Sequence, residues 1–167
     1  WEQTKTGEGQ VLLISGEPGI GKSRITQTLR ERMSDEPHTR LRYQCSPYHT
    51  NSALHPVIEQ LERAANFQRA DTAKQKLDKL ERLFPNGVDG ALVASLLSLP
   101  VARYPALTMS PQKQKEETLR VLAEQVTALA AAAPVLLIFE DAHWIDPTSQ
   151  ELLDLIVPVV ADHRVLA

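Results

Sequence analysis

At 167 residues, 43% apolar and 23% charged, the chain is long enough for one domain with a buried core and has an ordinary globular make-up. A formal net charge of −3 excludes the broad basic field that non-specific nucleic-acid binding requires. The lone cysteine, Cys45, excludes an internal disulfide and fits a reducing, cytoplasmic setting, and no apolar run nears the roughly 20 residues that cross a bilayer.

The sequence opens on Trp1 without a basic and then apolar leader, so no signal peptide is expected. The run VLLIS (Val11 to Ser15), bounded by Gly9 and Gly16, reads as a buried strand. Lys22 to Met33 reads as a helix. Thr39 to Cys45 alternates, with Leu41, Tyr43 and Cys45 on one face, and reads as a second strand. A loop follows, with Asn51 or Ser52 expected to cap a helix that runs to about Asn66.

The middle of the chain is helical. Asp71 to Phe84 aligns Leu77, Leu80 and Leu83/Phe84, and Asp89 to Leu99 aligns Leu92, Leu96 and Leu99. Lys74, Lys76, Lys79 and Arg82 form a solvated helix face. Ser110 and Pro111 are an N-cap and first-turn pair that opens a long helix with the seam Leu119, Leu122, Val126 and Leu129. Glu116 and Arg120 are expected to pair along it. VLLIF (Val135 to Phe139) reads as a third buried strand. Asp146 caps a helix from Pro147 that carries Leu152, Leu153 and Ile156, and RVLA begins a fourth strand. Strand and helix in alternation argue for an α/β fold on a parallel sheet, and the abrupt ends argue for a piece of something longer.

Two stretches carry chemistry. Gly16-Glu17-Pro18-Gly19-Ile20-Gly21-Lys22-Ser23 matches G-x-x-x-x-G-K-[ST] in full, between an expected strand and an expected helix. Glycines let successive amides turn inward around an anion, and the helix start adds unpaired N–H groups and a positive dipole end. Lys22 reaches the β- and γ-phosphates, and the Ser23 hydroxyl is placed for Mg²⁺. The nucleotide-binding set is Gly16, Glu17, Pro18, Gly19, Ile20, Gly21, Lys22, Ser23 and Arg24. In the second stretch, PVLLIFEDAHWID, a strand delivers Glu140 and Asp141 to the carboxyl edge of the sheet, where ligands of open α/β sheets bind. One carboxylate can attend Mg²⁺ and the next can orient water. The candidate catalytic residues are therefore Lys22, Glu140 and Asp141, and the candidate metal-side residues Ser23 and Glu140.

The two stretches are the Walker A and Walker B elements of P-loop NTPases. Together with YQCSPYHTNSALHPVIEQLERAA and LLIFEDAHWIDPTSQELL, they resemble the ATPase modules of the STAND/AAA group. In bacteria such modules often stand beside class III adenylate or guanylate cyclase domains or helix-turn-helix regulators. The resemblance implies a three-layer α/β/α core of the additional-strand class, with one strand between those bearing Walker A and Walker B. Residues 1–9 would be a remnant of a preceding segment, 10–167 an incomplete core, and about 53–109 a helical insertion between the second and third strands. It implies ATP and Mg²⁺ as ligands, a switch role and nucleotide-dependent oligomers. The effector domain would be covalently linked outside this chain, and this segment would bind neither nucleic acid nor membrane.

Two departures qualify that pattern. Family members commonly show Asp and then Asp or Glu after the strand, whereas this chain has Glu140 and then Asp141, which bears on turnover more than on binding. The family's sensor residue, arginine and lid helices would lie beyond Ala167, so the chain alone is expected to bind ATP weakly and hydrolyse it slowly.

Other residues have lesser claims. His143 and Trp144 belong to the family signature but can equally anchor the loop by packing. Tyr48, His49 and Asn51 can sense a γ-phosphate, contact a partner or simply form a loop ending in a cap. Cys45 with His38, His49 and His55 lacks metal-ligand spacing. The leading function is an ATP-binding, ATP-hydrolysing regulatory module. The alternatives are a nucleotide-holding scaffold without turnover and a small-molecule kinase, which the second acid after the strand disfavours.

Overall fold

Helices and strands follow one another along the computed structural model, which describes residues 1–167. In chain order they are a one-turn helix α1 (Glu2–Lys5), α2 (Lys22–Arg32), strand β1 (Thr39–Gln44), α3 (His55–Ala64), α4 (Ala73–Leu80), α5 (Gly87–Leu96), α6 (Pro111–Ala132), strand β2 (Val135–Glu140), a 3-10 turn (Ala142–Trp144), α7 (Pro147–Val160) and strand β3 (Val165–Leu166).

The three strands form a parallel sheet in the order β1-β2-β3. Register runs from Thr39 opposite Val135 to Gln44 opposite Glu140, and Leu136 lies opposite Leu166. Gln10 bridges Leu166 in parallel from the far side, with Gln10 N donating to Val165 O at 2.9 Å and Leu12 N to Ala167 O at 2.7 Å. Residues 10–12 therefore lie beyond β3, which separates them from β2.

Side chains alternate across the sheet, as the pleat requires. Leu41, Tyr43, Val135, Leu137 and Phe139 join the main core with α3, α5, α6 and α7, around Val57, Leu61, Leu92, Leu122, Leu152 and Ile156. Leu136, Leu166 and Ile138 take the other face and meet Met33 and Leu29 beside α2, with Trp1 closing one side.

The expected buried strand at Val11 to Ser15 is not found. Only Gln10 forms a bridge, and Val11, Leu12 and Leu13 are exposed, Leu13 at 86%. An apolar run is buried by what flanks it. Here the run meets the β3 edge only through the backbone of Gln10 and Leu12, and no residue of α2 is fully buried, so the side chains of Val11 to Leu13 are left uncovered.

Helix starts follow cap chemistry where the cap is local. Ser110 Oγ accepts from Lys113 N at 3.2 Å ahead of Pro111, and Thr72 forms a capping box with Gln75. Asn86 caps α5 through Val88 N, which starts that helix at Gly87 rather than Asp89. Neither Asn51 nor Ser52 caps α3. That helix starts after Leu54, whose φ of 57° is left-handed and whose N–H donates to Asp146 Oδ1 at 3.1 Å. The Glu116–Arg120 pair is also not formed. Gln112 donates to Glu116 at 3.0 Å, while Arg120 turns to Glu117 at 2.7 Å and Glu124 at 2.5 Å.

Candidate functional site

The Gly16–Ser23 loop leads into α2. Gly19 (φ 83°) and Gly21 (φ 102°) both hold left-handed backbone, and no atom lies within 4 Å of where a Cβ would stand, so conformation rather than crowding requires glycine there. Gly21 is the N-cap of α2, and the amides of Gly19, Gly21, Lys22 and Ser23 make no hydrogen bond within the protein. Lys22 Nζ folds back on its own loop, donating to Gly16 O at 2.8 Å and Glu17 O at 2.9 Å. Several unpaired amides and an ammonium without an anionic partner make a donor set suited to a polyphosphate. Glu17, Pro18, Ile20, Ser23 and Arg24 are exposed on the same loop and first turn. From there a groove continues along α2 past Thr28 and Arg32.

The acids lie at the end of β2. Because Gln10, Leu166 and Leu136 are level across the sheet, the phosphate loop and Glu140-Asp141 leave it at the same carboxyl edge, one strand apart. Glu140 follows the alternation of Leu136 and Ile138, on the face where Leu29 and Met33 pack. Its Oε2 accepts from Arg42 Nη2 at 2.6 Å. The same Nη2 donates to Gln44 Oε1 at 2.8 Å, and Gln44 Nε2 donates to Asp141 Oδ2 at 2.9 Å. Hydrogen bonding to Glu140 raises the Arg42 pKa above its ordinary value, so the guanidinium stays charged. Asp141 is exposed and sits in left-handed backbone at φ 53°, a conformation Asp tolerates.

Sequence reasoning missed Arg42 and Gln44. Their alternation with Leu41 and Tyr43 placed them opposite the core, but the acids they meet are 98 and 97 residues away. Gln60 and Arg63 of α3 were missed as well. Gln60 Oε1 accepts from Arg42 N at 3.1 Å and Arg63 Nη2 donates to Arg42 O at 2.8 Å, which satisfies the outer edge of β1.

Asp146, expected as a helix cap, is one and more. At 1% exposure its Oδ1 accepts from Thr148 N, Ser149 N and Leu54 N, and Oδ2 accepts from Ser149 Oγ at 2.5 Å, tying the start of α3 to the start of α7. Cys45 is buried close by, its thiol pushed up to about 11 by burial, then by the charges of Asp146 and Asp141. Tyr48 is 88% exposed and Asn51 is exposed, while His49 stacks on His55 with centroids 3.5 Å apart. His143 and Trp144 are both exposed and tilted against each other at 5.0 Å, so neither ring is buried as a packing anchor.

Comparison with known sequences agrees with this geometry. The family model described as the AAA ATPase domain matches residues 1–166. The chain belongs to that family. An uncharacterized protein of Rhizobium meliloti (strain 1021) is 32% identical to this AAA ATPase domain over 172 residues, covering 99% of the chain and 16% of the relative. The chain thus spans a small part of that protein's length. No solved structure matches it.

Family membership places the chain among ATP-binding, nucleotide-dependent modules, and AAA ATPases generally take ATP with magnesium. The loop fits the nucleotide's phosphates. The metal-side acid does not fit a hydrated cation as it stands, because Arg42 already neutralises the Glu140 carboxylate by direct contact. No helix is long and apolar enough to cross a membrane.

Proposed function

We propose that this AAA ATPase domain is the ATP-hydrolysing switch of a longer signalling or transcription-regulating protein of the STAND type. The observation that carries the reading is the loop ahead of α2, where unpaired amides and the Lys22 ammonium lack any anionic partner. Residues Gly16 to Arg24 would cradle the triphosphate, and Lys22 would exchange its carbonyl partners for the β- and γ-phosphate oxygens. Asp141, exposed at the same sheet edge, would accept a proton from and orient the attacking water. Glu140 would supply negative charge beside it, balanced by Arg42. The effector domain, a cyclase or a helix-turn-helix unit, would be covalently linked outside residues 1–167, and nucleotide state would set its association. This segment itself would bind neither nucleic acid nor membrane.

A second reading, a scaffold that holds ATP without turnover, is favoured by one observation: Asp141 is short and already accepts from Gln44. Asp141→Asn decides between the two. For a hydrolase, single-turnover decay of bound ATP falls by about 100-fold while nucleotide affinity changes by less than about twofold. Equal decay in the variant contradicts the role of Asp141, and no decay in either protein supports the scaffold.

A further inference from the structure

The Arg42–Glu140 contact conflicts with the usual use of that acid. A carboxylate attends a metal-bound water through its negative charge, yet a direct charge-assisted bond from Arg42 to Glu140 Oε2 at 2.6 Å already offsets that charge and leaves only Oε1 without a partner. The donor is not a wandering surface side chain. The same Nη2 is also held by Gln44, and the Arg42 backbone is pinned on its outer edge by Gln60 and Arg63. Both side chains are partly withdrawn from water, at 43% and 24% exposure for Arg42 and Glu140. Arginine keeps its charge at any working pH, and magnesium gives up its own waters reluctantly. Guanidinium and dication would thus repel each other and compete for one carboxylate.

We infer that Arg42 is a resident competitor for the cation at Glu140, so that this domain takes up ATP with little help from magnesium. The inference rests on the ATP-binding reading above and adds to it a property that the family pattern does not carry. It makes Arg42 a positioning residue that acts on the metal through Glu140 rather than on the nucleotide.

The test is calorimetric titration of the 167-residue chain with ATP, in EDTA and over a series of MgCl₂ concentrations. In the unaltered protein, magnesium strengthens ATP binding by no more than about threefold; in Arg42→Gln the gain rises to about tenfold, on the scale of a partly exposed charge pair. Arg42→Lys keeps charge and stem but not the fork, and falls between the two. In a Glu140→Gln background, Arg42→Gln has no further effect on the magnesium gain. The inference is overturned if the magnesium gain is the same with and without Arg42 while ATP still binds, or if Arg42→Gln acts equally when Glu140 is absent. Should Arg42→Gln fail to fold, Arg42→Met, which keeps an apolar stem without the charge, carries the same comparison, and an unchanged gain in it is equally fatal. ATP uptake absent in EDTA and in magnesium alike overturns the ATP-binding reading itself, and this inference with it.

Discussion

The two faces of the sheet are built to different standards. On one, 22 buried residues from β1, β2, β3, helices α3 to α7 and the loop positions Leu54 and Phe84 share a continuous core, and Asp146 pins the starts of α3 and α7 together. On the other, three buried residues, Met33, Leu136 and Leu166, lie beside a helix with no fully buried position. The phosphate loop and Glu140 belong to the thin face, while the strand that carries Glu140 is anchored from the thick one. Binding loops are drawn from the least stable parts of a protein because they have to rearrange around a ligand, and a rigid scaffold behind them keeps the geometry. The loop's unpaired amides are tolerable because that face is wet.

Side-chain truncation tests the contrast most strongly. Leu152, fully buried in the main core, should cost about 3 to 4 kcal/mol when changed to alanine, read as a lower denaturation midpoint at constant slope. The same change at exposed Leu13 should cost less than about 0.5 kcal/mol. Comparable losses at the two positions would remove the distinction between the faces.

Asp146→Ala comes next, at about 3 kcal/mol, since it strands the buried amides of Leu54 and Ser149 as well as the Ser149 hydroxyl. A loss near that of an ordinary exposed cap, about 1 kcal/mol, would mean that the tie to α3 contributes nothing.

What the sequence revealed follows from how far each interaction reaches. The phosphate loop was legible because its spacing and its glycine requirements are contained in eight consecutive residues. Ser110-Pro111 and Asp146-Pro147 were legible as helix starts because a cap bonds amides two or three residues ahead. The start of α3 was not, because its partner Asp146 is 92 residues away and no local cap replaces it. The exposure of Val11 to Leu13 was misjudged because periodicity reports which residues are apolar, not whether a neighbouring strand covers them. The Arg42–Glu140 and Gln44–Asp141 links needed the register of β1 against β2, which alternation alone does not supply.

The smallest effect concerns Cys45, which belongs to the thick side. Burial raises its thiol from the usual 9.0 to about 11, so the folded state holds the proton more tightly than the unfolded one. Its contribution to stability is complete below pH 9 and is lost as pH rises towards 11. Alkylation of Cys45 should therefore stay slow at pH 8 until denaturant unfolds the chain. Rapid labelling of the folded protein would show that this part of the core opens as readily as the loop face.

Calorimetry of ATP binding to the unaltered chain and to Lys22→Ala tests the phosphate-binding role of the loop most directly. Binding in the unaltered chain, weakened at least about 30-fold in the variant, is the result expected from losing the ammonium's charge-assisted bonds to phosphate. ATP uptake indifferent to Lys22, or no uptake by the unaltered chain, would contradict it.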